Sequence, residues 1–255
     1  MQFTTKKLDD FFRSILDIES FENSDPSLNG IQVDNDGSEI KKLAFAVDAC
    51  METFKQAVQA GAGLLFVHHG LFWGKPLALE TTHRKRIKFL MDNNLALYAV
   101  HLPLDQHPDF GNNAVLAEKL GLTDIKPFGS LHIPKIGLQG KFPQALTVEE
   151  AASRISFMGR PSLKIIPFGK KHNESCAIVS GGSSGETVHA IEEGIDLFVT
   201  GEAAHSMYHR ALEGNLNIIA DGHYSTEVWG ARRIMEESVT QLGIEAEFID
   251  VPTGL

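Results

Sequence analysis

The stretch AFAVDACMETFKQAVQAGAGLLFVHHG, residues 44–70, carries the pattern that decides the fold. Two short apolar runs flank a segment in which apolar residues recur at helical spacing, and a glycine ends that segment. Apolar runs bounded by polar residues are typical of strands buried on both faces of a mostly parallel sheet. The stretch therefore predicts a strand, a helix and a second strand that ends in two histidines, His68 and His69.

The same alternation of strand and helix continues along most of the chain. Strands are predicted at residues 41–47, 63–69, 95–101, 176–180, 196–200 and 217–221. Helices are predicted at residues 49–61, 82–94, 185–194, 203–214 and 226–243. This order favours an α/β fold.

The second half of the chain repeats the first. Residues 44–70 parallel AIVSGGSSGETVHAIEEGIDLFVTGE (177–202), and NLALYAVHLPLD (94–105) parallels NLNIIADGHYSTE (215–227). Each member of the second pair gives a strand followed by a histidine and, four residues later, a carboxylate. We therefore expect two related α/β lobes, residues 1–125 and 126–255, with the Gly- and Pro-containing segment 126–144 as their connection.

The composition excludes several classes of protein. The 255 residues include 23 Lys and Arg against 33 Asp and Glu, and this formal charge of −10 argues against duplex DNA as the main partner. Two cysteines can form neither a disulfide framework nor a thiolate zinc site. No run approaches the roughly 20 apolar residues of a membrane span, and the start MQFTTKKLDDFF is acidic where an export signal would be apolar. We expect a cytoplasmic protein with neither a membrane nor a nucleic acid as partner.

The chain has 11 histidines, and some of them form three clusters, two with a carboxylate, at the carboxyl end of a predicted strand or in the loop just after it. The three clusters are His68-His69, His101 with Asp105, and His223 with Glu227. The carboxyl ends of parallel strands form the edge at which open α/β sheets bind ligands. Neutral imidazole and carboxylate are natural ligands of Zn, Mn, Fe or Ni, so the clusters predict a metal site. Adjacent strand residues point opposite ways, so the double histidine would serve two ions more easily than one.

Local spacing predicts different backbones for two of these clusters. Pro103 follows His101 by two residues, which predicts a loop there and not a helical His-x-x-x-Asp pair. In the last cluster Ser225 or Thr226 is a good N-cap, which would place Glu227 in the first turn of a helix. The helix dipole would favour the ionised form of that glutamate.

Other candidate sites have weaker support. The segment GGSSGE (181–186) resembles a loop that cradles phosphate, but it lacks the lysine of a P-loop, and a plain strand-to-helix turn is the favoured interpretation. His205 is a candidate for a residue that supports a metal ligand. No Gly-x-Ser-x-Gly motif is present and neither cysteine lies near a histidine cluster, so the sequence identifies no covalent nucleophile and no catalytic side chain.

Five motifs, in their order along the chain, resemble the NIF-three-like proteins, which are widely named GTP cyclohydrolase 1 type 2. They are NGIQV (29–33), FVHHGLFW (66–73), VHLPLD (100–105), TGEAAH (200–205) and GHYSTE (222–227). The resemblance covers essentially the whole chain, in the short form that lacks the domain inserted in longer relatives. It implies two similar, interlocked α/β lobes with a dinuclear metal centre in the cleft between them, and a toroidal homohexamer.

The resemblance also implies a role for each metal ligand. His68 and His69 would each bind one of two divalent ions. Asp105 would bind the first ion and His223 the second, and Glu227 would bridge them. Three imidazoles and two carboxylates accept Zn, Mn, Fe, Ni or Co, so the identity of the metal stays open.

Two residues beside this ligand set are also matched by the resemblance. His101 matches a position next to the site, with no assigned role. Gly70 stands where many members have a proline directly after the double histidine. This departure leaves every expected ligand in place.

The activity implied by the resemblance is that of a metal-dependent hydrolase acting on a nucleotide or a related phosphorylated compound. For GTP, the reaction would open the imidazole ring of guanine at C8 and release formate. The alternative is a non-enzymatic protein that handles metal, as a chaperone or insertase, or that serves as a scaffold. The same ligands would serve both functions, so the sequence does not separate them.

Overall fold

The computed structural model describes residues 2–130 and 135–255, which fold into two compact units. Unit 1 contains the residues up to Leu104 together with Gly230–Val251. Unit 2 contains Asp105–Trp229 and Pro252–Leu255. The predicted lobe boundary between residues 125 and 126 lies instead within a strand of unit 2, Thr123–Phe128.

The two units are mixed α/β structures, as the alternation of segments predicts. The strands of the described residues are β1 (Gly30–Val33), β2 (Lys42–Asp48), β3 (Leu64–His69), β4 (Ala96–Ala99), β5 (Thr123–Phe128), β6 (Gly137–Leu146), β7 (Lys164–Pro167), β8 (Asn173–Val179), β9 (Leu197–Thr200), β10 (Asn217–Ala220) and β11 (Glu245–Phe248). The α-helices are α1 (Thr5–Ile15), α2 (Met51–Gln59), α3 (Thr81–Asp92), α4 (Leu102–Gln106), α5 (Asn112–Leu120), α6 (Val148–Ile155), α7 (Thr187–Glu192), α8 (Met207–Glu213) and α9 (His223–Leu242).

Unit 1 is built on a five-stranded sheet in the order β1-β4-β3-β2-β11. All neighbours in it are parallel except β1, which runs antiparallel to β4. Helices α2 and α3 pack on one face of the sheet. Phe54 of α2 and Leu90 of α3 share a core cluster there with the strand residues Leu65, Val67 and Leu97. A separate aromatic cluster in unit 1 is formed by Phe12 of α1, Phe45, Phe66 and Tyr98.

Unit 2 is built on a six-stranded sheet in the order β5-β6-β8-β9-β10-β7. Strands β8, β9 and β10 are parallel, whereas the other pairs in this sheet are antiparallel. Its main core includes Leu116 and Leu120 of α5, Ile155 of α6, Ile178 and Val199. The expectation of a mostly parallel sheet therefore holds in unit 1, while unit 2 has a mixed sheet.

The internal repeat predicted from the sequence is present in the topology. In unit 1 the chain runs β2-α2-β3-α3-β4, and in unit 2 it runs β8-α7-β9-α8-β10. Each set of three strands is parallel, and the middle strand of the chain order is also the middle strand in space. The carboxyl ends of the three strands consequently form one edge within each unit, where the candidate ligands were predicted.

The segment predicted as a connection is mostly strand. Residues 126–144 contain the end of β5 and most of β6, which pair antiparallel with each other. Glycines and prolines in this segment indicated a connection, but β6 accommodates Pro143 because its pairing with β8 shifts register between Lys141 and Leu146. Residues 131–134 of the segment lie outside the described residues.

Two local backbone predictions were wrong. Residues 102–106 form the short helix α4 and not a loop, because Pro103 occupies its first turn, where a missing amide hydrogen costs nothing. Helix α9 begins at His223, so neither Ser225 nor Thr226 is its N-cap. Glu227 therefore lies one turn beyond His223 on the same face of a helix.

No helix in the described part of the chain combines the length and the apolar character that crossing a membrane requires.

A buried carboxylate ties together the amino ends of three strands in unit 2. Asp196 accepts from the backbone N–H of Glu174 at 2.9 Å and pairs with Lys170 at 2.8 Å, while its carbonyl accepts from the N–H of Asn217 at 3.1 Å. Burial by itself raises the pKa of Asp196, but the bonds from Lys170 and Glu174 outweigh it and hold the pKa below its usual 3.8. The charged form is therefore the one that stabilises the fold.

We expect Asp196→Asn to lower the free energy of unfolding at pH 7 by about 1 kcal/mol, because a charge-assisted acceptor is lost. Because the pKa of Asp196 is lowered in the folded state, its carboxylate stabilises the fold above pH 3.8. This stabilisation is lost as the pH falls through the pKa of the folded state. The difference between variant and wild type should therefore shrink below pH 4 in urea unfolding followed by circular dichroism. Asp124→Asn, at an exposed carboxylate of the same unit, is the control and should change little. A deficit for Asp196→Asn that stays constant down to pH 2 would contradict this account.

Candidate metal centre

Three histidines converge at the carboxyl edge of the sheet in unit 1. His68 and His69 end strand β3, and His101 follows β4 by two residues. Each offers one ring nitrogen, and these nitrogens lie within 4.8 Å of one another. The rings of His68 and His69 are 4.6 Å apart, so the opposite orientation expected for adjacent strand residues does not hold at this strand end.

The two side chains of the double histidine contact different neighbouring strands of the sheet. His68 is buried, and its Nδ1 lies 3.0 Å from the carbonyl oxygen of Val100, next to β4. The Nδ1 of His69 lies 2.8 Å from the carboxylate of Asp48, with which it is in register across β2 and β3. A carbonyl or carboxylate oxygen only accepts, so Nδ1 carries the proton in both rings. Nε2 is then the nitrogen through which either ring could coordinate a metal.

His101 is held by a buried carboxylate in the same way. Asp25 accepts from its Nδ1 at 2.9 Å and from the backbone N–H groups of Ser27 and Leu102. The side-chain amide of Asn29 donates to the second oxygen of Asp25. Burial alone raises the pKa of Asp25, but these donors, His101 foremost, outweigh it and lower the pKa. Asp25 is thus an ionised acceptor that fixes the orientation of His101.

The NGIQV motif positions the loops that carry these histidines. Asn29 Oδ1 accepts from the backbone N–H of His101 at 2.8 Å. Gln32 accepts from the N–H of Leu71 at 2.6 Å, directly after the double-histidine segment. A Cβ at Gly70 would collide with the Gln32 side chain, so the glycine allows this close approach. The motif therefore acts through the backbone of both histidine-bearing loops.

In unit 2, Asp105 is almost completely buried within a polar network. Its Oδ1 accepts from the side chains of Asn112 at 2.9 Å and Ser180 at 3.0 Å. Asn113 joins the same network by donating to the Asp105 carbonyl and accepting from the Ser180 N–H. These bonds hold the carboxylate in one orientation, next to the carboxyl end of β8.

His223 and Glu227 form the second candidate pair of unit 2. Because α9 begins at His223, the two side chains lie one helical turn apart, with His223 Nε2 3.2 Å from Glu227 Oε2. Glu202 holds the other nitrogen, with 2.6 Å between its Oε1 and His223 Nδ1. Burial lowers the pKa of His223, but its bonds and attraction to Glu227 and Glu202 outweigh this and raise the pKa to about 9. A metal bound at Nε2 would therefore displace a proton at neutral pH.

Gly181, in the loop after β8, leaves the space that this pair occupies. Its backbone has φ +64°, and a Cβ there would collide with Glu227 Oε1 and lie 3.1 Å from His223 Nε2. Thr226 fixes the loop by accepting from the Gly181 N–H at 3.0 Å. The segment 181–186 is thus a strand-to-helix turn, as favoured from the sequence, and its first glycine makes room for the candidate ligands.

His205 stands apart from these groups. It is exposed and lines a cavity of about 560 Å³ with Tyr208, His209 and Lys164, among others. Within the described residues it belongs to no cluster that could hold a metal ion. The supporting role considered for His205 falls instead to Glu202, three residues earlier in the same motif.

The donor set fits a metal. His68, His69 and His101 each have Nδ1 next to an oxygen that only accepts, and His223 has Nδ1 next to Glu202. Metal-binding histidines usually donate their second ring N–H in this manner. The three imidazoles of unit 1, and in unit 2 His223 with the buried carboxylates Asp105 and Glu227, are ligand types that suit a transition metal such as Zn, Mn, Fe, Ni or Co. Residues that can hold a metal ion are therefore present.

The residues that orient the histidines escaped prediction from the sequence. Asp25, Asp48 and Glu202 each hold an Nδ1, although Asp48 and Asp25 stand far from their histidines in sequence. Glu202 and Asn29 occur within motifs quoted for the resemblance, which was a usable signal. Asp48 ends β2 at the same edge as His69, so the strand alignment would have found it.

Comparison with known proteins agrees with these motifs. The family model described as Duf34/NIF3 (NGG1p interacting factor 3) matches residues 3–253. The chain belongs to this family. A member from Treponema pallidum, named GTP cyclohydrolase 1 type 2 homolog, is 38% identical, with 99% of this chain and 100% of the relative covered. One of the same name from Archaeoglobus fulgidus is 43% identical, with 97% and 96% covered.

Solved structures of other proteins have the same fold. TTHA1606 from Thermus thermophilus is similar with a TM-score of 0.89 and 37% identity, over 99% of this chain and 100% of that one. Reduced HcgD from Methanocaldococcus jannaschii is similar with a TM-score of 0.85 and 28% identity, over 98% and 99%. The family expectation and the α/β fold of this chain are therefore confirmed.

We expect Gly181→Ala in this Duf34/NIF3 protein to displace the Glu227 carboxylate, because a Cβ has no room there. Gly194→Ala is a matched control: its φ is +69°, and a Cβ there would meet nothing within 4 Å. Both variants should lose about 1 kcal/mol from the left-handed backbone, but only Gly181→Ala should lose more. Thermal unfolding and the metal content of the purified proteins measure the difference. Equal stability and equal metal content in the two variants would refute the steric argument.

Proposed function

We propose that this protein binds two divalent metal ions and is a metal-dependent hydrolase that acts on a nucleotide or a related phosphorylated compound. The proposed ligands are His68, His69, Asp105, His223 and Glu227. Following the family pattern, each of His68 and His69 binds one ion, and Glu227 bridges the pair. His101 is not a ligand in this proposal.

The observation that carries the proposal is the proton arrangement of the histidines. Three of them face an oxygen acceptor at Nδ1 that belongs to the backbone or to a carboxylate of unit 1. His223 meets Glu202 in the same way in unit 2. Histidines placed for packing alone have no need of such uniformity, whereas a histidine that binds a metal through Nε2 commonly donates its Nδ1–H to an acceptor of this kind.

The charge of the proposed centre indicates the class of substrate. Two carboxylate ligands contribute −2 against +4 from two divalent ions, so the centre carries about +2 within a chain of formal charge −10. A local positive centre attracts a phosphate or a developing oxyanion, while the acidic surface repels polyanions such as duplex DNA. A small anionic or nucleotide substrate therefore fits better than a nucleic acid.

The protein's own contribution to hydrolysis is orientation. Bound divalent ions supply Lewis acidity and make water a stronger acid. The network of Asn112 and Ser180 keeps the Asp105 carboxylate in one position, and Asp25 keeps the His101 ring in one orientation. Preorganised groups of this kind stabilise a transition state because they need not reorient during the reaction.

Two further family properties belong to this proposal, namely assembly into a toroidal homohexamer and a cytoplasmic location. Both rest on the resemblance to the NIF-three-like proteins and on the ordinary composition of the chain.

We expect two metal equivalents per chain in protein purified without chelator, and fewer than one in Glu227→Gln, since an amide cannot bridge two cations as a carboxylate does. Glu213→Gln, at an exposed carboxylate that ends helix α8, should keep both ions. Elemental analysis measures the stoichiometry. Anomalous scattering at several absorption edges should give two peaks about 3.5–4 Å apart. A single peak, or full metal content in Glu227→Gln, would overturn the dinuclear assignment.

We expect the metal-loaded protein to release formate from GTP and the Glu227→Gln variant to lose at least about 100-fold of that rate, since two-metal catalysis fails without the bridging ligand. Formate detection by an enzyme-coupled assay measures the reaction. Absence of formate from fully loaded wild type would exclude GTP as the substrate. Transfer of the bound metal to an acceptor protein, without hydrolysis of any nucleotide in a panel, would favour the metal-handling alternative instead.

A further inference from the structure

A tryptophan stands next to the histidine cluster of unit 1 with much of its surface exposed. Trp73 follows the double histidine by four residues and is 36% exposed. Its ring centroid lies 5.0 Å from that of His101, in an edge-on arrangement, and 6.0 Å from that of His69. An indole is the largest apolar side chain, so leaving a third of it in water forgoes hydrophobic stabilisation.

The exposed ring is nevertheless held in place. Its Nε1–H donates to the carbonyl of Gly70 at 3.1 Å, which satisfies its single polar group. The backbone before it is also tied down, since the N–H of Leu28 donates to the Phe72 carbonyl and Gln32 accepts from the N–H of Leu71. After it, the N–H of Lys75 donates to the Trp73 carbonyl at 2.8 Å. A rigid exposed aromatic ring loses little conformational entropy when a ligand packs on it, which is the property of a binding platform.

The chemistry of Trp73 complements that of the neighbouring histidines. The ring carries no charge, and its only donor is already used by Gly70, so what it offers a ligand is apolar area and a π-face. Planar aromatic bases stack on such faces with little dependence on their sequence or substituents. A metal ion bound to the neighbouring His69 would, by contrast, attract an anion. A ligand that uses both has a flat heterocycle joined to an anionic group.

We propose that Trp73 is a specificity-determining residue, on which the heterocyclic base of a nucleotide stacks while its anionic part approaches the histidine cluster. This inference rests on the proposed metal-dependent function and narrows its substrate class. Compounds with a purine or similar base are bound, and sugar phosphates without a base are bound weakly.

The first experiment compares two probes that differ only in the base. Guanosine 5′-monophosphate and ribose 5-phosphate are titrated into metal-loaded wild type, Trp73→Leu and Trp73→Phe by isothermal calorimetry. Trp73→Leu should weaken the nucleotide about 10-fold or more and leave ribose 5-phosphate unchanged, because only the stacking contact is removed. Trp73→Phe keeps an aromatic face and should restore part of the affinity.

Fluorescence gives an independent measurement, since the chain has two tryptophans. The other, Trp229, packs edge-on against Phe157 and under Lys119 in unit 2 and is the matched control. The nucleotide should quench emission in Trp229→Phe, which retains Trp73, and not in Trp73→Phe. Should Trp229→Phe fail to fold, the difference between wild type and Trp73→Phe gives the same comparison.

Failure of this inference can be told apart from failure of the metal proposal. Metal content is measured in every variant, and loss of metal from wild type itself would overturn the proposed function. Two results would overturn stacking while metal binding stands. In the first, metal-loaded wild type binds neither probe. In the second, metal-loaded wild type and Trp73→Leu bind the nucleotide with equal affinity. A change of mass in light scattering for Trp73→Leu, with unaltered nucleotide affinity, would assign Trp73 to a contact between copies of the chain and equally overturn the inference.

Discussion

The candidate centre depends on one recurring interaction, the hydrogen bond between a histidine Nδ1 and an oxygen. A buried imidazole exists in two neutral forms that differ by the position of one proton, and they interconvert unless a partner selects one. Val100, Asp48 and Asp25 make that selection in unit 1 because neither a backbone carbonyl nor an ionised carboxylate can donate a hydrogen bond. Each bond also fixes the rotation of its ring. A single contact therefore sets both the orientation of the imidazole and which of its nitrogens carries the proton.

These bonds are available because of the sheet topology. Asp48 and His69 end adjacent parallel strands in register, and Val100 follows the strand on the other side of β3. Parallel strands bring all their carboxyl ends to one edge, so residues that are 21 and 32 positions apart become neighbours there without any special loop. The three repeated strands of unit 2 provide the same edge, and His223 and Glu202 follow two of them. Repetition of the β-α-β unit thus provides a similar setting twice.

How much of this could be predicted from the sequence follows from the range of each interaction. Apolar runs and helical spacing are local, so six strands and five helices, and the positions of the candidate histidines at strand ends, were recovered. Pairing across a sheet is not local. Strand β6 was missed because its glycines and Pro143 resemble a loop until β8 is known to lie beside it. Likewise, Asp25 is recognisable as the partner of His101 only once the chain between them is folded.

The errors in local backbone bear on how the carboxylates are presented. Glu227 was expected in the first turn of a helix, where the dipole would stabilise its charge. With α9 beginning at His223, the glutamate lies a full turn further on, and the dipole at its position is weaker. What stabilises the negative form is His223 itself, whose pKa is raised by that same pairing. The protonated imidazole therefore supplies the positive charge that a bound metal ion would supply beside Glu227. Gly181 keeps the surrounding space free of a side chain. A cation replacing that proton would leave the pairing of charges intact, so the contacts that stabilise the protonated imidazole would also suit a bound cation.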